Sequence, residues 1–383
     1  MYWLTRYWPR TYLMVGAAAF VFAIVGMPLV IVALKRLGVV DRVGVNKIHT
    51  RPVPRGGGLA IFGAFALAVL LPGYRSTAMN GVLLGAFICL CVGMVDDVTG
   101  GVKGVWKLLT LVAVTGILWR FGVRLNVFKF APLDLLFTLV WIVGVTSAFN
   151  GFDNMDGLAA GEAVIVSLVY FIIALQAYVA AHTETSLSWF GMLAIGLIGA
   201  NVGFLIFNWR PARVFMGDSG SFFLGFVLAA LGVMGEWTEN RVISCTIPVL
   251  ILGVPIFDFA YTLAARIIKG ETRTLRAIID HCATDHLSHR LVWIGFSQRK
   301  AVLFIYLISF ALGVTGILLR NSTRLLDSLL ALIQSFAIFA IVAVLMASAA
   351  KRHLRQVEDE IDRLDAFTQA NKSDAPRMDE STG

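Results

Sequence analysis

Apolar residues in this sequence occur in long runs of roughly 16 to 25 positions, and not in the alternation of half-buried strands. A helix needs about 20 consecutive apolar residues to cross the hydrocarbon core of a membrane. On that rule the runs predict about eleven spans, at residues 12–34, 58–73, 80–95, 105–120, 133–149, 158–181, 188–207, 220–235, 242–264, 301–319 and 326–349. The pattern therefore predicts an all-α, polytopic integral membrane protein of about 11 transmembrane helices.

The composition agrees with this fold class and indicates two regions. The chain is 58% hydrophobic with a mean hydropathy of +0.80, which is typical of a polytopic membrane protein. The first apolar run lacks a small-residue cleavage site, so we expect it to be retained as a span. Residues 1–350 are predicted to form the membrane domain. Residues 351–383 are predicted to form a polar cytoplasmic tail, a short helix followed by a disordered end.

Cysteine content and net charge exclude several classes of function. The four cysteines are scattered, which predicts neither a disulfide framework nor a zinc site. The net charge of +8 has its ordinary explanation in loops that orient a membrane protein. No basic stretch carries the interleaved aromatic residues of a nucleic-acid surface, so no nucleic-acid partner is expected.

Positive charge differs between alternate loops. The loops after odd-numbered spans hold most of the loop lysines and arginines; they are residues 35–57, 96–104, 150–157, 208–219 and 265–300. The opposite loops hold only Arg75, Arg124, Lys129, Arg241, Arg320 and Arg324. The positive-inside rule therefore predicts a multi-pass protein of the cytoplasmic (inner) membrane with its N-terminus outside and its tail inside.

Every polar motif that suggests chemistry falls on the predicted cytoplasmic side. In "VDDVTGG", Asp96 and Asp97 stand side by side at the end of a span. They could simply cap the membrane end of the span, or stabilise the N-terminus of the next helix through its dipole, or they could share a cation or accept a proton, since adjacent carboxylates raise one pKa. These interpretations stay open on the residues alone. The one-sided placement favours a site that faces the cytoplasm over a path through the membrane.

The motif "NGFDNMDGLAAG" adds Asn150, Asp153, Asn154 and Asp156 directly before a predicted helix. An Asn/Asp turn with a helix cap would explain one aspartate. It would not explain two aspartates at i and i+3 beside glycines that let a ligand approach the backbone. The pattern therefore favours a functional loop.

The motif "VFMGDSGS" places Asp218 between glycines at the start of the eighth span. Glycines, hydroxyls and a helix start can hold a phosphate, but a carboxylate there would repel it unless a metal lay between them. Oxygen ligands without a cysteine cluster indicate Mg²⁺, with Mn²⁺ as the alternative. Phe215 just before this motif has ordinary packing as its simplest explanation.

Two further motifs are basic. "DHLSHRL" carries His286, His289 and Arg290, whose spacing suits either a metal or a multiply charged anion, and phosphate contact is the favoured interpretation. "KIHTRPVPRGGG" carries Lys47 and Arg55 before a run of glycines. This segment is either an orientation signal or a shaped loop near a ligand.

Taken in order, these motifs make the sequence resemble the polyprenyl-phosphate N-acetylhexosamine-1-phosphate transferases, a family of glycosyltransferase family 4 type. The wider superfamily includes the phospho-MurNAc-pentapeptide translocases. The resemblance runs from about Lys47 to Arg290 and rests on "VDDVTG", "NGFDNMDGL", "VFMGDSGS" and "HLSHRL". It implies an all-α membrane enzyme with its active site on the cytoplasmic face.

The resemblance assigns roles to individual residues. It implies catalytic roles for six residues, which are Asp96, Asp97, Asp153, Asp156, His286 and His289. It implies substrate binding by Lys47, Asn150, Asn154, Phe215 and Arg290, with Phe215 stacking on uracil, and Mg²⁺ binding by Asp218. Ser288 stands where many members have a histidine, and Asn154 stands where glycine is commoner.

The implied reaction transfers N-acetylhexosamine 1-phosphate, with GlcNAc as the expected sugar, from a UDP-sugar to undecaprenyl phosphate. UMP is released, and the lipid-linked diphosphate sugar begins a cell-envelope polysaccharide. The alternatives are a transporter, for which Asp258 within the ninth span is the main candidate relay, and a non-catalytic scaffold. The oligomeric state is open, and a homodimer is one option.

Overall fold

The computed structural model describes residues 8–41, 51–181, 188–235, 237, 241–268, 270, 286–322 and 324–373. Helices dominate these residues. In chain order the elements are α1 Trp8–Arg36, β1 Val40–Asp41, β2 Val53–Pro54, α2 Gly58–Leu70, α3 Thr77–Thr99, α4 Gly104–Arg120, α5 Ala131–Phe152, α6 Leu158–Ala181, α7 Ser188–Asn208, α8 Gly217–Met234, α9 Arg241–Ile251, α10 Gly253–Ile268, α11 Leu287–Trp293, α12 Gln298–Arg320 and α13 Leu325–Ser373. The two short strands pair antiparallel.

The predicted polytopic membrane fold is confirmed in its class. Each predicted span falls on a helix, and eight described helices, α1, α3, α5, α6, α7, α8, α12 and α13, are long and apolar enough to cross a membrane. The ninth predicted span consists of two helices, α9 and α10, which meet at an angle of 81° at Leu252. If this pair counts as one span, the described residues contain up to nine candidate membrane spans. Helices α2 and α4, of 13 and 17 residues, are shorter. The count of eleven and the orientation stay predictions.

Helix α8 lies at the centre of the bundle, with 89% of its apolar window buried. Glycines on neighbouring helices allow its close approach, which is a common packing device in membranes. A Cβ on Gly93 of α3 would overlap the α8 backbone at Asp218, and a Cβ on Gly225 of α8 would come within 2.9 Å of Phe149 in α5. The first turn of α8 is therefore pressed against the last turns of α3.

The ends of α3 place the two adjacent aspartates. The helix begins at Ser76, whose hydroxyl accepts a hydrogen bond from the Met79 amide at 3.1 Å. It ends at Gly100, which adopts the left-handed conformation (φ 78°) and donates to the Asp96 carbonyl. Asp96 and Asp97 thus occupy the last turn of α3, and both are buried.

Helix α13 is continuous for 49 residues, from Leu325 to Ser373. The tail is predicted to begin with a short helix, and in the structure the helix of the last span continues directly into it. At 1.5 Å per residue the whole helix is about 75 Å long. The boundary predicted at residue 350 is therefore a change of composition within one helix, and residues 374–383 lie outside the described part of the chain.

Candidate active site

Three carboxylates meet where the end of α3 touches the start of α8. Asp96 and Asp97 come from α3, and Asp218 comes from the first turn of α8. One oxygen from each lies within 4.8 Å of the others. The side chain of Asp96 is 7% exposed, that of Asp97 is 0% exposed and that of Asp218 is 18% exposed, so the cluster is nearly enclosed.

Asp97 caps the N-terminus of α8. One of its oxygens accepts from the Asp218 amide at 2.9 Å, and the other accepts from the Ser219 amide at 3.0 Å. Gly217 has φ +73°, and a Cβ there would contact the Asp97 carboxylate within 3 Å. The glycine before Asp218 is therefore required by both conformation and space. The helix dipole adds to the stabilisation of the negative charge.

Two cations balance the cluster. The Arg55 guanidinium contacts all three carboxylates, with Nε 2.8 Å from Asp97 Oδ1, Nη2 2.7 Å from Asp218 Oδ1, and Nη2 3.7 Å from Asp96 Oδ2. The Lys107 ammonium lies 3.1 Å from Asp96 Oδ1 and also contacts Asp218. Burial lowers the pKa of Arg55, but the three carboxylates together raise it further, so the net direction is upward. Arg55 is therefore firmly charged.

The carboxylate cluster fits a hard divalent cation. Its three convergent oxygens are the donor type that Mg²⁺ and Mn²⁺ prefer. The resemblance assigned the metal to Asp218, and a shared cation was one option left open for Asp96 and Asp97; the geometry brings oxygens of all three together. Arg55, whose segment was left open between an orientation signal and a loop near a ligand, contacts these carboxylates together with Lys107.

The loop between α5 and α6 lies beside the cluster. Asn150 donates to the Ser221 hydroxyl of α8 at 2.8 Å, and Asp156 accepts from the Ala212 amide at 3.2 Å. Burial raises the pKa of Asp153 to about 7, and the negative charge of nearby Asp218 adds to the shift. Asp153 therefore lies within electrostatic range of Asp218 and Asp97.

The histidine segment reaches the same loop from the other side. Ser288 donates to the Asn154 side-chain oxygen at 2.5 Å. An ideal Cβ on Gly151 would lie 3.6 Å from His286 Cε1, so the imidazole borders the loop. The two positions that depart from the family pattern, Ser288 and Asn154, thus bond to each other. His289 is half-buried and makes contacts of its own.

Asp258 has a partner for each of its carboxylate oxygens. His286 Nδ1 lies 2.7 Å from Asp258 Oδ2, and the Leu287 amide donates to Oδ1 at 2.6 Å. Asp258 therefore orients His286 and caps α11, which leaves little support for its role as a transport relay. The only sequence signal for this pairing is a weak one, a carboxylate within an apolar span.

The remaining candidates are placed differently. Phe215 is half-buried, and its backbone forms a parallel bridge with Arg55, so the ring and the guanidinium come from adjoining backbone. Arg290 is buried, and its guanidinium donates to the Met346 carbonyl of α13 at 3.1 Å and lies over the Tyr261 ring. These contacts hold Arg290 against α13 and α10, and the structure does not bring it to the carboxylates. Lys47 lies outside the described residues.

Comparison with known proteins gives the family. The model of glycosyl transferase family 4 matches residues 79–236, which contain three of the four motifs in full. A probable undecaprenyl-phosphate N-acetylglucosaminyl 1-phosphate transferase of Bacillus subtilis is 35% identical over 298 residues, covering 75% of this chain and 79% of the relative. A decaprenyl-phosphate N-acetylglucosaminephosphotransferase of Mycobacterium tuberculosis is 31% identical, covering 71% and 73%. A phospho-N-acetylmuramoyl-pentapeptide-transferase of Streptococcus thermophilus is 31% identical, covering 59% and 73%. The chain belongs to glycosyl transferase family 4, the membrane-bound polyprenyl-phosphate sugar-phosphate transferases.

Proposed function

We propose that this enzyme transfers GlcNAc 1-phosphate from UDP-GlcNAc to undecaprenyl phosphate and releases UMP. The observation that carries the proposal is the cluster of three carboxylates and two cations at the contact between α3 and α8. Such a site suits a substrate with several phosphate charges. The names of the Bacillus and Mycobacterium relatives support the polyprenyl phosphate acceptor and the N-acetylglucosamine group.

The donor diphosphate is proposed to bind at the cluster. Asp218, with Asp96 and Asp97 beside it, would hold Mg²⁺, which supplies positive charge to the diphosphate when bound. Arg55 and Lys107 are then free to contact the phosphate oxygens, because they no longer have to balance three bare carboxylates. An arginine fork and a lysine point charge are the usual protein partners of phosphate.

The uridine end is proposed to lie against Phe215. A nucleobase stacked on an aromatic ring gains about 1 to 3 kcal/mol. Phe215 adjoins Arg55 through the backbone bridge, so a base on the ring and a phosphate on the guanidinium fit one ligand. Lys47, Asn150, Asn154 and Arg290 stay as binding residues proposed from the family resemblance, and for Arg290 the observed contacts with α13 weaken the proposal.

The acceptor phosphate is proposed to attack the donor phosphorus that carries the sugar. Its oxygen forms the new P–O bond, the bond to UMP breaks, and Asp96 takes the proton of the attacking phosphate. His286, oriented by Asp258, and His289 would stabilise charge on the departing UMP. Asp153 and Asp156 would align the loop that borders both groups.

A covalent route is the mechanistic alternative. An aspartate would attack first, and the lipid phosphate would then resolve a phospho-sugar intermediate. We favour direct attack, because a polyprenyl phosphate is already a charged oxygen nucleophile. The routes separate in delipidated enzyme, where radiolabelled UMP should not exchange into UDP-GlcNAc. Clear exchange that disappears in Asp96→Asn would establish the covalent route instead.

The cellular setting follows from the acceptor. Undecaprenyl phosphate would be met in the cytoplasmic membrane, with the site facing the cytoplasm, where nucleotide sugars occur. The lipid-linked product would begin the synthesis of a cell-envelope polysaccharide. The oligomeric state stays open, with a homodimer as one option.

The direct test is turnover by purified protein. Undecaprenyl phosphate and Mg²⁺ are supplied with a panel of UDP-sugars, and UMP release is followed. UDP-GlcNAc should give the highest kcat/KM, and Asp218→Asn should abolish turnover while leaving the folded helical content unchanged. Turnover that persists in Asp218→Asn, or that needs no lipid phosphate, would refute the proposal.

A further inference from the structure

We propose that Tyr306 of α12 is a positioning residue that holds the loop between α5 and α6 in its working conformation. The proposal rests on the function proposed above, because that function places Asp153 and Asp156 beside the reacting phosphates. The Tyr306 hydroxyl donates a hydrogen bond to the Gly157 carbonyl oxygen. Gly157 directly follows Asp156, so the contact acts at the end of the functional loop.

The contact is built into the packing of two helices. Gly161 of α6 faces the tip of the Tyr306 side chain, and any Cβ there would overlap the hydroxyl and its ring carbon. The tip of the Tyr306 side chain therefore fits into a notch on the surface of α6, which exists because Gly161 has no Cβ. Tyr306 is half-buried, which keeps its ring in contact with α6. The notch directs the hydroxyl to Gly157 and limits the alternatives open to it.

Gly157 is held through both of its backbone polar groups. Its carbonyl accepts from Tyr306 of α12, and its amide donates to the Asn208 side chain of α7 at 2.9 Å. Its φ of +80° is accessible to glycine but strained for other residues. Two successive peptide groups at the end of the loop are therefore held from outside it. The 156–157 peptide, which Asp156 precedes directly, is held by α7, and the 157–158 peptide is held by α12 in addition to the Gly161 amide of α6.

A second polar contact between α6 and α12 provides a natural comparison. Ser309 lies one helical turn beyond Tyr306 and donates to Glu162 Oε2 at 2.7 Å. Both side chains are buried, and Glu162 Oε1 has no hydrogen-bond partner among the described residues. This contact joins the same two helices without touching the loop. It should therefore contribute to stability and leave the alignment of Asp153 and Asp156 intact.

The loop needs such support because it is irregular between two helices. Residues 153–157 are not helical, and their side chains bond outward to Ala212 and Ser288. For comparison, outer partners that orient metal-binding side chains typically contribute about 10- to 100-fold in activity. Misplacement of a reacting group by about 1 Å has a similar effect. Loss of the Tyr306 hydroxyl should therefore act mainly on kcat.

The experiment compares Tyr306→Phe with Ser309→Ala in the full-length protein. Tyr306→Phe keeps the ring in its notch, so its Tm should equal that of the wild type while kcat falls about tenfold or more. The KM for UDP-GlcNAc should stay within about twofold, and hydrogen exchange of the peptide that contains residues 150–157 should accelerate. Ser309→Ala should lower Tm and keep kcat within about twofold of the wild type.

The outcomes separate positioning from packing. If Tyr306→Phe keeps the wild-type kcat and the wild-type exchange rate, the proposal is wrong. If both variants lose Tm and kcat in parallel, Tyr306 serves only to join the helices, and the proposal is again wrong. A wild-type protein without turnover on any UDP-sugar would refute the proposed function, whereas the exchange comparison would still decide whether Tyr306 orders the loop.

Discussion

Lys107→Met should bind a divalent cation more tightly than the wild type and turn over more slowly. In the structure the Lys107 ammonium lies 3.1 Å from Asp96 Oδ1 and contacts Asp218, so it occupies oxygens that a metal would use. A cation entering the wild-type site must displace this ammonium or share the carboxylates with it. Removal of the lysine removes that competition. It also removes a charge that we propose to contact the donor phosphates.

The size of the effect follows from the charges in the cluster. Three carboxylates and two cations leave a formal charge of −1, and Lys107→Met makes it −2. A unit charge at 4 Å contributes about 4 kcal/mol at an effective dielectric constant of 20. The Lys107 side chain is 20% exposed, so solvent screening reduces this to about 1 to 3 kcal/mol. The cation should therefore bind about 5- to 150-fold more tightly.

Mn²⁺ is a suitable probe, because its binding to purified protein is measured by electron paramagnetic resonance without turnover. Lys103→Met is the matched control, since Lys103 is exposed and lies one turn from Lys107. The control should change Mn²⁺ affinity by less than about twofold, as expected for a screened surface charge. Equal Mn²⁺ affinity in Lys107→Met and the wild type would refute the idea that lysine and metal share the carboxylates.

Three further predictions test the loop between α5 and α6, the stacking of uracil on Phe215, and the orientation of the protein in the membrane. In EDTA, Asp153→Asn should have a higher Tm than the wild type at pH 8 and an equal Tm at pH 4. The reason is that the pKa of the Asp153 carboxyl is about 7 in the folded protein, above its ordinary value of about 3.9, so the wild type loses stability as the pH rises from about 3.9 to about 7. A difference in Tm between variant and wild type that does not change with pH would contradict this. Phe215→Ala should raise the KM for UDP-GlcNAc by the equivalent of about 1 to 3 kcal/mol and leave the KM for the lipid unchanged; a raised lipid KM alone would oppose it. In intact cells and a cysteine-free background, Asn126→Cys should react with an impermeant thiol reagent and Thr99→Cys should not, and the reverse labelling would invert the topology.

Local sequence patterns predicted the helices and most of the site. Apolar runs indicate membrane spans because lipid offers no hydrogen-bond partners to backbone N–H and C=O groups. A helix satisfies these groups within the segment itself, so each apolar run is expected to be helical. The aspartate motifs stand at the ends of these runs, which is enough to place Asp96 and Asp218 near the membrane surface. Their meeting depends on which helices pack together. Gly93, whose missing Cβ lets α3 approach α8, is the relevant signal, but one glycine among many does not identify its partner.

Longer-range features could not be predicted from the same patterns. The ninth span reads as one apolar run, yet it bends by 81° at Leu252, between Pro248 and Pro255. Prolines allow a bend but do not specify its angle. The contact of His286 with Asp258 depends on that bend, because α10 then meets the start of α11. Arg290 follows His286 by four residues, and its burial against α13 depends on a contact with Met346, 56 residues later in the chain.

The adjacent aspartates illustrate how one local pattern can serve two tasks. Neighbouring residues on a helix point about 100° apart, so Asp96 and Asp97 have largely different partners, although Arg55 contacts both. Both carboxylate oxygens of Asp97 accept hydrogen bonds from backbone amides of α8. The negative charge of Asp97 is balanced by the N-terminus of α8 and by Arg55. Asp96 instead accepts a hydrogen bond from the Val102 amide at 2.6 Å, and it also contacts the ammonium of Lys107, which is carried on a long, flexible side chain. Asp97 thereby fixes Asp218 in place, although it caps α8 and not the next helix along the chain. In the proposed reaction Asp96 would be released when Lys107 moves to a phosphate. The cap on α8 thus creates the geometry that the proton-accepting role proposed for Asp96 would require.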